Sequence, residues 1–428
     1  MLDTYVVNGL VCQDRRFTVP LDYQQPQQQQ LSVFAREVAS KSGRENEFPY
    51  LVFFQGGPGF GASRPTGLDG WIGEACKHYR VLLLDQRGTA CSSPVTAQTL
   101  AHLTPEQQAA QLAHYRSDNI IRDAETIRGE LIGEEKWSIL GQSFGGFCVL
   151  RYLSASPEAI KQAFITGGIP SLTRPATDVY RKTFKRVLDK NKLFFDTYPQ
   201  AQSIAHSVAQ YLLTTPETLP DGSPLTVERF QLLGIHLGMT GGHQELYAML
   251  EQAFVEVNGI KALSFVFKQS MLNLLDYDTN PIFAFLHESI YCQAFASNWA
   301  AHQVRHQSFA NEFNIDEHSQ SFNFTGEMIF PWMFEQFSQL KPLAKAAQLL
   351  AEKDDWPALY DLHQLANNTV PVAAAVYETD MYVDMAYSNE TLQQVNGAIA
   401  WYSAAHEHNG IKVDGAHIFS TLHKILNP

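Results

Sequence analysis

The chain has little cysteine, and none of it is arranged for structure. Cys12, Cys76, Cys91, Cys148 and Cys292 are odd in number and scattered, with no Cys-x-x-Cys pair. That argues against a disulfide framework or a thiolate metal site and leaves reduced thiols, as expected of a cytoplasmic protein. Basic residues are also scarce: 31 Lys and Arg stand against 44 Asp and Glu, a formal charge of −13. Such a balance repels phosphate backbones and anionic membrane surfaces, so neither nucleic acid nor a membrane is an expected partner. No run of about 18 apolar residues occurs, and Met1-Leu2-Asp3-Thr4-Tyr5 has no basic segment leading into an apolar one, so neither a spanning helix nor an export signal is expected.

What is present is a change of pattern along 428 residues, more than one ordinary core requires. Residues 1–40 alternate in polarity, as antiparallel strands at a sheet edge do. From residue 49 the strands become fully apolar: Pro49–Phe54, Tyr79–Leu84, Ser138–Leu140 and Ala163–Gly168, with helical segments between them. That is the pattern of a buried, mostly parallel sheet. After Pro170 the regularity stops, and the next buried strand is Val370–Tyr377, followed by the apolar strand Gly397–Tyr402. A crossover needs only a dozen or more residues, so the intervening stretch of roughly 200 is an insertion. Its apolar spacing in Leu246–Phe254 and Leu340–Leu350 is helical. The expected organisation is a core at 1–170, a helical cap or lid at 171–366, and the rest of the core at 367–428.

Within that frame, Trp137 to Gly146 reads as a strand running into Gly141-Gln142-Ser143-Phe144-Gly145 and then an apolar helix. This is a nucleophile elbow, in which a sharp turn exposes the serine hydroxyl and demands small residues two before and two after it. Ser143 then needs a base, itself oriented by a third group. In an α/β-hydrolase fold these follow as Asp or Glu and then His, each past the end of a later strand. Asp380 stands past the strand ending at Tyr377, with Asp384 as a second candidate that would equally cap a helix beginning at Met385. The candidate histidines are His406, His408 and His417; the loop position of His408, ahead of Asn409-Gly410, favours it. No third ligand at suitable spacing accompanies His406 and His408, so no metal is expected, nor any other cofactor.

Acyl transfer also needs two donors for the developing oxyanion. The backbone N–H of Phe144 is one, and the glycine-rich loop after the strand ending at Phe54 offers Gly56 or Gly57 as the other. No Gly-Lys-Ser/Thr follows that loop, which argues against phosphate cradling. Asp85 and Arg87, in the loop after the next strand, read as loop braces.

Gly56-Gly57-Pro58-Gly59, Asp85-Gln86-Arg87-Gly88 and Gly141-Gln142-Ser143-Phe144-Gly145-Gly146 together resemble the proline iminopeptidases (prolyl aminopeptidases) of the α/β-hydrolase fold, in their longer subgroup. The likeness continues through His287-Glu288-Ser289-Ile290-Tyr291, Phe324-Thr325-Gly326-Glu327-Met328 and Pro331-Trp332-Met333-Phe334 to Asp380-Met381-Tyr382-Val383 and His406-Glu407-His408-Asn409-Gly410. It departs at Gln55, where many relatives carry histidine, and Gly415-Ala416-His417 loosely imitates the Gly-His segment of the shorter relatives. The resemblance implies a serine exopeptidase that releases N-terminal proline from short peptides with a free N-terminus, with Ser143 as nucleophile, Asp380 as orienting acid and His408 as base. Such an enzyme must hold a cationic amine, and carboxylates among apolar residues of the cap are the natural partners: Glu288 and Glu327 first, then Glu251 and Glu335. Phe144, Phe147, Trp299, Phe330 and Trp332 are candidates to line a proline pocket. An esterase or broader aminopeptidase of the same chemistry, and a non-catalytic binding protein of the same fold, are the alternatives.

Overall fold

The computed structural model describes residues 4–428. Nine strands form one sheet among them: β1 (Thr4–Val7), β2 (Leu10–Pro20), β3 (Gln30–Ser40), β4 (Tyr50–Phe54), β5 (Arg80–Asp85), β6 (Trp137–Gln142), β7 (Ile160–Thr166), β8 (Val372–Tyr377) and β9 (Ala398–Ser403). Their spatial order is β1-β2-β3-β5-β4-β6-β7-β8-β9. Pairings from β1 through β3 to β5 are antiparallel, and all others are parallel. This is the α/β-hydrolase arrangement, with the alternating N-terminal strands at one edge.

The inner parallel strands read as unbroken apolar runs because both faces are covered, whereas β9 at the sheet edge is only half-buried. Val52, Phe54, Ile139, Ile165 and Val376 join one core layer, while their neighbours Leu51, Phe53, Leu140, Phe164 and Tyr377 join the other. On the first face lie helices α1 (Ser117–Ile132) and α2 (Phe144–Ala155). On the second lies the C-terminal helix Gly415–Leu426, through Ile418, Phe419 and Leu422.

Between β7 and β8 the chain contributes no strand to this sheet. It forms helices, among them α3 (Ala176–Thr197), α4 (Gly242–Glu251) and α5 (Ala300–Ser308), and two short antiparallel ribbons. One ribbon takes Phe254, which the helical spacing of Leu246–Phe254 assigns to a helix; α4 stops at Glu251, and Phe254–Val257 pairs with Ile260–Leu263 instead. Among the described residues no helix is long and apolar enough to cross a membrane.

The sheet registers bring several loop origins to one edge. Phe54 pairs with Gly141, Gln142 with Thr166, and Tyr377 with Ser403. The loops after β4, β6, β8 and β9 therefore open on the same side, where parallel α/β sheets bind ligands.

Candidate active site

Ser143 joins β6 to α2 at φ 54° and ψ −124°, a positive-φ backbone conformation unusual for a residue with a side chain. The turn is fixed by its own N–H, which donates to the Thr166 carbonyl at 3.0 Å, and by the glycines around it. A Cβ on Gly141 would lie 2.2 Å from the Gly145 carbonyl oxygen, and one on Gly145 only 1.9 Å from that of Phe54. The elbow is thus close-packed backbone on backbone, which leaves the serine side chain directed out of the turn.

The hydroxyl meets an imidazole. His408 Nε2 lies 2.9 Å from Ser143 Oγ, and Nδ1 lies 2.7 Å from Asp380 Oδ2. The other carboxylate oxygen, Oδ1, accepts the Tyr382 and Val383 N–H groups at 2.8 and 3.0 Å, so Asp380 is held by its own loop. All three side chains are buried, with relative exposures of 8 % for Ser143, 2 % for Asp380 and 6 % for His408. Burial alone would lower the imidazole's proton affinity; the Asp380 carboxylate, its hydrogen bond, and the charges of Glu327 and Glu407 outweigh it and raise His408 above its ordinary value. A carboxylate on Nδ1 also fixes the tautomer that leaves Nε2 free to take a proton from the hydroxyl.

The elbow abuts the loop after β4: a Cβ on Gly56 would stand 2.9 Å from the Ser143 Cβ. Among the described residues neither the Gly57 N–H nor the Phe144 N–H donates to a protein acceptor, so both are free for an oxyanion. A cavity of about 350 Å³ opens over Ser143 and His408, roofed by the segment between β7 and β8. Phe60, Tyr277 and Phe283 give it aromatic walls, and Glu327 and Asp276 give it acid. Burial pushes the Glu327 carboxyl up to about 7, against the stabilising pull of His408.

Residues 49–253 match the family model of the alpha/beta hydrolase fold. A proline iminopeptidase of Aeromonas sobria is 49% identical over 419 residues, spanning 98% of this chain and 97% of that protein. One from Aspergillus aculeatus is 34% identical over 418 residues, spanning 95% and 92%. The chain belongs to the proline iminopeptidase family.

Against that family's expected amine site, the cap glutamates separate. Glu327 lines the cavity with Ser143 and His408. Glu288 does not: its oxygens accept the Ala300 and Ala301 N–H groups at 3.0 and 2.9 Å, so it caps the N-terminus of α5. An apolar setting signals a buried carboxylate, but here the helix satisfies it. Glu251 is exposed at the end of α4, and Glu335 is exposed as well; neither borders the cavity. Of the aromatic candidates, Phe144, Phe147, Phe330 and Trp332 pack in or against the core, and Trp299 donates to Gln348. The other two candidate histidines lie away from the serine: His406 is 2.7 Å from Ser403 Oγ and 3.2 Å from Asp414, and His417 is exposed beside Trp401. Asp384 caps the helix Met385–Leu392 and pairs with Arg186. Arg87 is buried on Asp123 and three carbonyls, and Asp85 accepts from Ala62, Arg64 and Cys91, which makes both of them loop braces. Asp276, Tyr277, Phe60 and Phe283 escaped the sequence reading because nothing in their spacing marks them.

Proposed function

We propose that this chain is a serine aminopeptidase that releases N-terminal proline from short peptides through an acyl-enzyme. The observation that carries the reading is the chain of contacts Ser143–His408–Asp380 at 2.9 and 2.7 Å, beneath a cavity lined also by the half-buried carboxylate of Glu327. In this reading His408 Nε2 takes the hydroxyl proton as Ser143 Oγ attacks the prolyl carbonyl, and the oxyanion forms against the N–H groups of Phe144 and of Gly57 or Gly56. Collapse breaks the C–N bond, and His408 returns the proton to the departing amine. Water then repeats the cycle on the ester, freeing proline. Asp380 keeps the imidazole oriented and stabilises its cation.

Selection for an exopeptidase substrate falls to Glu327, whose carboxylate pairs with the free amino end. Residues 171–366 act as the cap that closes the pocket, so a chain continuing beyond the amine has no room. The family supports this reading, since the named relatives are proline iminopeptidases. The test is turnover of prolyl anilide by the wild type and by Ser143→Ala, together with N-acetylprolyl anilide. Loss of activity in the variant with an unchanged circular dichroism spectrum, and rejection of the blocked substrate by the wild type, are expected. Retention of most activity in Ser143→Ala overturns the proposal.

A further inference from the structure

Resting on the aminopeptidase reading, a second cavity bears on what lies beyond the scissile bond. It measures about 300 Å³ and shares Gln55, Gln142 and Lys412 with the cavity over Ser143, so the two adjoin. Its apolar wall comes from Phe53, Trp71 and Ile411. The direction of the substrate follows from the chemistry. The acyl residue lies under the cap with Glu327, whereas the departing nitrogen must receive its proton from His408 Nε2. Asn409, Ile411 and Lys412, which line the second cavity, follow His408 directly in the chain. The leaving peptide therefore emerges on the side of this cavity.

Three charged side chains border it. Arg64 is held by Asp85 at 2.7 Å, Asp69 is exposed, and Lys412 is exposed; neither Asp69 nor Lys412 has an ion-pair partner among the described residues. We propose that this cavity receives the leaving peptide and that the Lys412 ammonium pairs with the free α-carboxylate of a short one. Because Lys412 borders both cavities, it meets the first residues past the scissile bond. Each extended residue adds about 3.5 Å, so a free carboxylate stays near the cavity junction that Lys412 borders when the leaving group is one or two residues long, and moves away from it as the peptide lengthens. The site thus favours dipeptides and tripeptides with a free C-terminus.

The experiment compares kcat/KM for prolyl-alanine and prolyl-alanine amide, read as released proline, in the wild type, Lys412→Met and Lys412→Glu. The ratio of acid to amide within one variant is independent of how much of the protein is folded. An exposed ion pair predicts a wild-type ratio of roughly three to five, lost in 0.5 M salt as the charges are screened. The ratio falls to about one in Lys412→Met and below one in Lys412→Glu, where like charges now meet. A wild-type ratio of one, or a Lys412→Met ratio equal to the wild type's, overturns the proposal. If neither peptide nor prolyl anilide is cleaved at all, the aminopeptidase reading itself fails instead.

Discussion

Replacing Glu327 by glutamine keeps the shape of the cavity wall and removes its charge. Burial raises this carboxyl from 4.5 to about 7, which corresponds to about 3 kcal/mol against the bare anion. An ammonium placed about 4 Å away recovers roughly 4 kcal/mol at an effective dielectric near 20, before its own desolvation. Losing one partner of such a pair costs about 2–3 kcal/mol, so kcat/KM for prolyl anilide at pH 8 should fall roughly 30- to 160-fold in Glu327→Gln. The pH profile supplies a second signature. In the proposed reading the ionised carboxylate is the form that binds the amine, so in the wild type kcat/KM should decline as pH drops below about 7. His408 contributes to the same limb, because its raised proton affinity makes it cationic, and useless as a base, at low pH. The Glu327 charge is among the groups that raise His408, so the whole acid limb moves to lower pH in the variant. Hydrolysis of p-nitrophenyl acetate, whose acyl group has no amine, should fall less than about threefold, since it draws on none of that pairing energy. Equal losses on the anilide and the acetate, or an unmoved acid limb, would refute the argument.

Two other substitutions probe the frame of the site. Asp380→Asn exchanges the acceptor on His408 Nδ1 for a group that permits the wrong tautomer, and should lower kcat by about 10³–10⁴-fold with KM nearly unchanged; a drop under tenfold in the anilide assay places the orienting role elsewhere. Gly145→Ala puts a methyl 1.9 Å from the Phe54 carbonyl oxygen, so β4 and α2 must part, costing about 1–3 kcal/mol or more. A fall of several degrees in Tm by calorimetry is expected, and an unchanged Tm contradicts the packing described for the elbow.

Much of this was legible in the residues, for physical reasons that also mark where legibility ends. Strands buried on both faces must be apolar throughout, so β4, β5, β6 and β8 stand out in the sequence to within a few residues. Helix α2 already begins at Phe144, within the elbow's glycine run, because glycines that argue against a helix are here required by the approach of Phe54 and Gly168. The order serine, aspartate, histidine is a chain-level feature, but three imidazoles in twelve residues are not separable by order. Only the local bonds of His406 to Ser403 and Asp414 take it out of contention. For Glu288 the sequence shows apolar surroundings and not the helix N-terminus, twelve residues on, that satisfies them. The cavity walls come from turns of the inserted segment, such as Asp276-Tyr277, whose positions depend on long-range packing that no local pattern encodes.

That inserted segment does more than cover the pocket. Lys190, on α3 and 5 % exposed, places its ammonium 2.6 Å from both oxygens of Glu407 and 3.4 Å from the Thr379 hydroxyl. Those two residues immediately precede His408 and Asp380. The His408 N–H donates to the Gly238 carbonyl at 3.3 Å, and the Tyr382 hydroxyl donates to that of Ile235. Both loops that carry His408 and Asp380 are therefore fastened to the segment that also supplies Glu327. A buried ammonium is costly unless paired, so the Lys190–Glu407 contact cannot be opened cheaply, and the loops have little freedom to drift from it. The same carboxylates, Glu327 and Glu407, raise the proton affinity of His408. In the proposed reading, occupation of Glu327 by a substrate ammonium would cancel part of that field, so the amine of a substrate would also shift the imidazole toward the neutral form that can accept the serine proton.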